Sequence, residues 1–182
     1  EGFRRYQEES AWTWEHQALV RARPVAGDPA VAEAFEATRR EILTRPRDAE
    51  TVQTEVRDMR RRMRETHASS GSDRFDLKQD PGGMADIEFM VQYGVLAHAH
   101  EHPGLVDFTD NIRLLERLAE AGCLAAEEAE SLAGAYRAYR ARRHRLTLQE
   151  APTVVPATEF VDERRAVLAA WQRLMGETLE TG

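Results

Sequence analysis

The chain has 182 residues, 42% of them hydrophobic and 31% charged, with a formal net charge of −7. This composition is typical of one globular domain, and the acidic balance argues against a general nucleic-acid binder. No run approaches the roughly 18 apolar residues of a membrane span. The single cysteine, Cys123, excludes an intrachain disulfide and suits a reducing cytoplasm. Because residues 1–4 do not look like a natural start, we expect a fragment of a larger protein. It should form a single helical domain over residues 1–182, or one domain with an appended N-terminal arm over residues 1–25.

Apolar residues recur at helical spacing along most of the chain and predict about seven helices. In chain order these helices cover approximately residues 3–20, 29–43, 48–67, 84–96, 110–121, 126–148 and 162–179. Asp28 followed by Pro29 indicates a capped helix start, and Thr109 can cap a later helix. The helix after Gly83 is apolar around most of its circumference, which predicts the central helix of an all-α bundle. The three tryptophans are expected in the core: Trp12, Trp14 and Trp171.

The stretch over residues 76–89 interrupts this helical pattern. Asp76, Lys78 and Asp80 alternate with uncharged residues, so an extended segment would project all three charges from one side. Pro81-Gly82-Gly83 then predicts a turn. We therefore expect one short extended segment and a Gly-Gly turn near residues 75–83. Lys78 is also the only lysine of the chain, since every other basic side chain apart from histidine is an arginine.

A glycine pair before a helix can offer free N–H groups and the positive end of the helix dipole to an anion. The alternative is a turn that serves the fold alone, in which Asp86 and Glu88 only offset the dipole. These two carboxylates do not form a metal pair, because alternate residues of a helix point about 200° apart. We predict no metal site in this chain.

Arginines are concentrated at three places in the sequence. Arg21 and Arg23 precede Pro24 at the end of the first predicted helix, where the residues alone favour a solvated helix end stabilised by the helix dipole. A basic run on the third helix is expected to be solvated, with docking of an acidic partner or phosphate as the alternative: Arg57, Arg60, Arg61, Arg62 and Arg64. A second run, on the helix over residues 126–148, is also expected to be a solvated face: Arg137, Arg140, Arg142, Arg143 and Arg145.

The segment with Asp76-Leu77-Lys78, Gly82-Gly83 and Asp86-Ile87-Glu88-Phe89 resembles the D-[IL]-K…G-G-…-[DE]-I-E-F signature of the bifunctional glutamine synthetase adenylyltransferase/adenylyl-removing enzymes. Other stretches fit the family in the same order, so the likeness is colinear over essentially the whole chain: residues 11–23, 52–60, 110–116 and 146–149. Met84 is a small departure, since the family more often has Ile or Leu there. The resemblance implies the C-terminal helical domain that follows the second nucleotidyltransferase domain.

The resemblance also implies what the whole enzyme does. It would use ATP and Mg²⁺ to transfer AMP to a tyrosine of glutamine synthetase, and its other half would remove the AMP, with the PII signal protein and glutamine setting the direction. Because the metal-binding carboxylates would belong to the domain upstream of Glu1, we expect no catalytic residue here, and the fragment alone should be inactive. The helical domain would instead complete or regulate that active site.

Particular residues carry this expectation. Contacts to nucleotide phosphate or to the incoming protein are assigned to a set near the glycine turn and the first helix end: Lys78, Gly82, Gly83, Arg21 and Arg23. Three acidic residues would orient Lys78 and the loop: Asp76, Asp86 and Glu88. The alternative is a non-catalytic platform for the PII protein or for glutamine synthetase, in which the third helix would bind the partner through Arg57, Arg60, Arg61 and Arg64. No nucleic acid and no membrane is expected as a partner.

Overall fold

The computed structural model describes residues 1–66, 71 and 73–179. These residues form eight α-helices: α1 Gly2–Glu9, α2 Thr13–Arg21, α3 Pro29–Leu43, α4 Ala49–Glu65, α5 Met84–His98, α6 Asn111–Glu120, α7 Ala126–Leu148 and α8 Val161–Met175. A 3-10 helix covers Pro103–Val106, and two short strands are present, β1 Arg74–Asp76 and β2 Val154–Pro156. The predicted all-α bundle with one short extended segment is confirmed.

α5 lies at the centre of the bundle because its apolar side chains point in almost every direction. Most of its 15 residues are buried. It packs against α2, α4, α6, α7 and α8. Gly94 permits the close contact with α6, since a Cβ there would lie 2.9 Å from a terminal methyl carbon of Leu118. The predicted central helix is therefore confirmed.

Aspartate side chains begin several helices, as expected for residues that accept the free N–H groups of a first turn. Asp28 accepts the N–H of Ala30 at 2.7 Å at the start of α3. At the start of α6, Asp110 accepts the N–H of Arg113 at 3.1 Å. The capping residue of α6 is thus Asp110, and not Thr109 as the sequence suggested.

The prediction of one uninterrupted first helix is wrong, because the chain breaks between α1 and α2. The N–H groups of Ser10 and Ala11 both donate to the carbonyl of Tyr6 at 2.9 Å, which ends α1. The Glu15 carboxylate then accepts the N–H of Trp12 at 2.9 Å and the hydroxyl of Tyr6 at 2.5 Å. This carboxylate caps the first turn of α2 and links it to α1 through the Tyr6 hydroxyl.

The break also corrects the prediction for two tryptophans. Trp171 is fully buried, whereas Trp12 is 68% exposed and Trp14 is 48% exposed. Both line a surface cleft together with Met59 and Asp58 of α4. They lie outside the core because residues 9–14, which join α1 to α2, line this surface cleft against α4.

β1 and β2 pair in antiparallel register. The predicted extended segment over residues 76–80 is shifted, because the strand ends at Asp76 and the chain turns immediately afterwards. The Asp76 carboxylate accepts the N–H of Lys78 at 2.7 Å and that of Gln79 at 2.9 Å. Such bonds from an aspartate to the residues that follow it stabilise a turn, so the expected alternation of charged side chains does not occur.

Two helix ends differ from the sequence prediction. α4 ends at Glu65, and His67, which the sequence placed at its end, lies outside the described residues. α8 ends at Met175 because Gly176 adopts a left-handed conformation with φ +67°. Within the described part of the chain, no helix has the length and apolar character required to span a membrane.

Candidate functional site

The loop before α5 closes on itself through its glycines. The N–H of Gly82 donates to Asp86 Oδ2 at 2.7 Å, and the Gly82 carbonyl accepts the hydroxyl of Tyr139 at 3.0 Å. The N–H of Gly83 donates to the carbonyl of Asp80 at 2.9 Å. Both glycine amides to which the sequence assigned an anion are therefore occupied by partners within the protein.

The glycines are nevertheless required at these two positions. Gly82 has φ +85°, and a Cβ on it would lie 3.1 Å from the carbonyl oxygen of Arg164. A Cβ on Gly83 would lie 2.9 Å from the carbonyl oxygen of Asp80. The close approach that glycine permits here is an approach to the backbone of the same chain.

The N-terminus of α5 is covered by the same loop. The N–H of Met84 donates to the carbonyl of Leu77, and the N–H of Ala85 donates to the carbonyl of Lys78, both at 3.0 Å. Loop carbonyls thus satisfy N–H groups that a first turn usually leaves free. The polar contacts that remain available near this helix end come from side chains.

Asp86 holds the loop from inside the core. Its Oδ1 accepts Arg60 Nε at 2.6 Å, and both side chains are fully buried. Arg60 also donates to the carbonyl of Gln79 at 2.7 Å. Burial raises the pKa of Asp86, while the Arg60 charge and the Gly82 N–H act in the opposite direction. Arg60, which the sequence offered for partner binding, is therefore inaccessible to a partner.

The other arginines assigned to partner binding on α4 lie in different environments. Arg57 donates to the carbonyl of Met175 at 3.1 Å and pairs with Glu177 at 3.3 Å, which ties α4 to the end of α8. Arg64 lies 3.8 Å from the same glutamate. The side chain of Arg61 is 53% exposed. Arg61 is thus the member of this set that faces solvent.

An open groove of about 810 Å³ lies between the loop, the end of α2 and the second half of α7. Its described lining contains five basic side chains: Arg21, Lys78, Arg137, Arg140 and Arg143. The same lining has one carboxylate, that of Glu88. Although the chain as a whole is acidic, the groove concentrates positive charge. This gives it an electrostatic preference for anions.

Glu88 connects two walls of the groove. Its Oε1 accepts Arg21 Nη1 at 2.9 Å and the hydroxyl of Tyr136 at 2.9 Å. Burial, followed by the charge of Glu88, raises the pKa of the Tyr136 hydroxyl, which therefore stays protonated and remains a donor at neutral pH. This contact fixes the guanidinium of Arg21 at one end of the groove.

The wall formed by α7 was missed by the sequence analysis, which treated its arginines as a solvated face. Arg137, Arg140 and Arg143 follow one another at steps of three residues, and Tyr136 and His144 lie on the same side. Steps of three and four residues place side chains on one face of a helix. That spacing was the available signal, but the sequence did not show that Lys78 lines the same groove.

Two other predicted site residues lie outside the described groove lining. Arg23 is exposed beyond the end of α2. Asp76 accepts the backbone N–H of Lys78 at 2.7 Å, so it acts on the position of the lysine backbone. Arg21, Lys78 and Glu88 are the predicted residues that the fold brings together.

The donor groups of the groove suit phosphate and do not suit a magnesium ion. Mg²⁺ is bound by converging oxygen ligands, usually carboxylates. Asp86 is buried against Arg60, and Glu88 is bonded to Arg21 and Tyr136. Among residues 1–66, 71 and 73–179, no group of three or more acidic, histidine or cysteine side chains is placed to hold a metal.

Two models of known protein families match parts of this chain. The family model described as GlnD PII-uridylyltransferase matches residues 51–153, and the one described as Glutamate-ammonia ligase adenylyltransferase matches residues 1–38. The first match covers more than half of the chain. The chain therefore belongs to the class of all-α domains that the GlnD PII-uridylyltransferase model describes.

Curated relatives give a narrower assignment. The chain is 58% identical over 175 residues to the bifunctional glutamine synthetase adenylyltransferase/adenylyl-removing enzyme of Thioalkalivibrio sulfidiphilus. It is 52% identical over 184 residues to the enzyme of the same name in Pseudomonas aeruginosa, and 55% identical over 175 residues to that of Nitrosococcus oceani. These alignments cover 94–96% of the chain and 18–19% of each relative.

This chain belongs to the family of the bifunctional glutamine synthetase adenylyltransferase/adenylyl-removing enzymes. It spans less than a fifth of the length of the relatives it matches. Those relatives are named as adenylyltransferases, a kind of nucleotidyltransferase.

Proposed function

We propose that this chain is the helical domain of an enzyme that transfers AMP from ATP to a tyrosine of glutamine synthetase and removes it again. In this proposal the basic groove faces the phosphates of the nucleotide. ATP and Mg²⁺ are held mainly by a nucleotidyltransferase domain outside these residues, and the enzyme works in the cytoplasm under the control of the PII protein and glutamine. The names and identities of the relatives support the activity.

The observation that carries the role of the groove is the convergence of Arg21 and Lys78. They are far apart in the sequence, on different elements, yet they line the same cleft. Lys78 is half-buried, and its ammonium makes no ion pair with any described residue. A lysine that lies beside an open cleft and pairs with no carboxylate of the protein is available to an external anion.

The contribution of such a groove to AMP transfer is electrostatic. When a nucleotide phosphate is attacked, negative charge moves onto the leaving oxygens, and fixed cations placed nearby lower the barrier. Lys78 would bind and orient the phosphate side of the nucleotide. Arg21 would add to the positive potential at the phosphates, while its ion pair with Glu88 fixes the orientation of the Arg21 guanidinium.

The test is Lys78→Ala in the full-length enzyme that contains this chain. We expect AMP transfer to fall roughly tenfold or more, the effect of losing one charged contact to the reacting phosphates. Lys78→Arg should retain part of the activity, since it keeps the charge. Circular dichroism and urea unfolding of each variant verify that the helical domain is intact.

The matched control is Arg145→Ala. Arg145 is exposed on α7 but does not belong to the described lining of the groove. Its loss should leave AMP transfer unchanged. Full transfer by a folded Lys78→Ala enzyme would remove Lys78, and with it the groove, from the nucleotide site.

A second candidate function is a binding platform for the PII protein or glutamine synthetase, and one observation favours it. Trp12 and Trp14 form an exposed aromatic surface against Met59 of α4, in a cleft of about 510 Å³. Arg61 lies on the same helix and faces solvent. Aromatic side chains and arginine are the residues that most often dominate protein interfaces.

Trp12→Ala combined with Arg61→Glu tests the platform. Loss of the response to the PII protein, with basal AMP transfer preserved, would support it. Arg60 is unsuitable for this experiment because charge reversal inside the core would unfold the domain.

A further inference from the structure

We infer that the groove between Lys78 and α7 is a site for a ligand with two or more linked phosphate groups, and that Arg137, Arg140 and Arg143 form its second wall. The inference rests on the proposed function and specifies the ligand of the same groove. It assigns a role to three arginines that the sequence left as a solvated face.

The arginines of this wall have few internal partners among the described residues. Several arginines elsewhere on the surface lie close to carboxylates, as Arg40 does to Asp107 at 2.5 Å and Arg117 to Glu120 at 2.6 Å. Arg140 and Arg143 form no ion pair within the described part of the chain, and Arg137 reaches Glu116 only at 3.9 Å. Like charges gathered without counter-charges repel one another, and an anion relieves that repulsion.

The positive charges of the groove form an extended row. From Arg137 to Arg143 the helix rises about 9 Å at 1.5 Å per residue. Lys78, on the loop before α5, adds a further positive charge to the same lining. A row of cations along one side of a cleft matches a chain of linked phosphates better than one tetrahedral anion, and each guanidinium can engage two phosphate oxygens at once.

The remainder of the lining combines apolar and aromatic surface with these charges. Met84, Ile112 and Tyr136 give the groove apolar surface beside its charges. The guanidinium of Arg140 lies 5.9 Å from the centre of the Tyr136 ring, a distance at which the ring attracts the cation. A volume of about 810 Å³ falls in the range of small-molecule sites. Pyrophosphate and the triphosphate of a nucleotide share the required chemistry.

Calorimetric titration of the 182-residue chain with pyrophosphate, orthophosphate, ATP and AMP, without metal and at low ionic strength, tests the inference. We expect pyrophosphate and ATP to bind at one site, roughly tenfold more tightly than orthophosphate and AMP, because additional charges of the ligand meet additional cations. Added salt should weaken this binding. ATP binding more tightly than pyrophosphate would identify a nucleotide as the ligand, and equal affinities would identify the phosphate chain alone.

The decisive variants are Arg143→Ala and Arg145→Ala. Both arginines are exposed on α7 and make no ion pair with a described residue, but Arg143 lines the groove and Arg145 does not. Arg143→Ala should weaken pyrophosphate binding roughly tenfold, as expected for one lost charge-assisted contact. Arg145→Ala should change it by less than about twofold. Lys78→Gln should resemble Arg143→Ala.

Three results would overturn the inference: no saturable binding of pyrophosphate, equal affinity for pyrophosphate and orthophosphate, or equal losses in the two arginine variants. The outcome is separable from that of the proposed function. Pyrophosphate binding by the chain, together with full AMP transfer by the Lys78→Ala enzyme, would keep the site and reject its role in transfer. The reverse pair of results would keep the role of Lys78 and reject the phosphate-chain site.

Discussion

Arg60 and Asp86 form an ion pair of 2.6 Å in the interior of the protein, with neither side chain exposed to solvent. The pair joins α4 to the first turn of α5. The second carboxylate oxygen of Asp86 also accepts the N–H of Gly82 at 2.7 Å. The position of the loop that carries Lys78 therefore depends on a charge pair that no ligand can reach.

Asp86→Asn should destabilise the domain strongly. The asparagine keeps the shape of the side chain but leaves the Arg60 guanidinium without its counter-charge in the core, which typically costs about 3–5 kcal/mol. Urea unfolding followed by circular dichroism measures the loss. Arg61→Ala on the exposed side of the same helix is the control, with an expected change within about 0.5 kcal/mol. An Asp86→Asn variant as stable as the wild type would show that the pair contributes nothing to the fold.

Gly82→Ala and Gly134→Ala should change stability in opposite directions. Gly82 has φ +85° and a neighbouring backbone oxygen 3.1 Å from the site of a Cβ, so alanine there should cost about 1–3 kcal/mol. Gly134 lies within α7, and a Cβ on it would meet nothing within 4 Å. Alanine at that position should stabilise the helix by up to about 1 kcal/mol. Thermal and urea unfolding distinguish the two, and equal effects would refute the assigned strain.

Glu88→Gln should increase the affinity of the groove for anions. The substitution removes the negative charge from the lining and releases the Arg21 guanidinium, while the amide oxygen can still accept the Tyr136 hydroxyl. We expect pyrophosphate to bind roughly fivefold to tenfold more tightly, from the loss of one like charge near the ligand. Calorimetry at two salt concentrations measures the effect. Weaker binding would mean that Glu88 is needed to shape the site and does not compete with the ligand.

Stability should decrease as the pH falls below neutrality because of His16. Burial lowers the pKa of His16 below its ordinary value of 6.5, and a ring nitrogen lies 3.1 Å from the carbonyl oxygen of Gln7. The folded state therefore binds this proton less readily than the unfolded chain. The contribution of the neutral ring is fully present above pH 6.5 and is lost as the pH falls through the folded-state pKa.

The measurement is the free energy of unfolding between about pH 7.5 and pH 5.5 for the wild type and for His16→Gln. The wild type should lose more stability over this interval than the variant, since glutamine does not titrate. Parallel curves for the two proteins would contradict a lowered pKa at His16.

The sequence by itself determined the helical class, the central position of α5 and the cap at Asp28. These features depend on local spacing and on the free N–H groups of a first turn, both of which are written in neighbouring residues. The family also followed from short motifs in fixed order. The break between α1 and α2 did not follow, because it depends on a Glu15 carboxylate that bonds backward to Trp12 and Tyr6.

Only the tertiary structure decided which charged residues share a site. Arg60 and Arg61 are adjacent in the sequence, yet one is fully buried against Asp86 and the other is exposed. Lys78 and Arg143 are distant in the sequence, yet they line the same groove. Composition gives every arginine the same charge, but burial, counter-charges and the approach of distant helices decide whether that charge stabilises the core or remains available to a ligand.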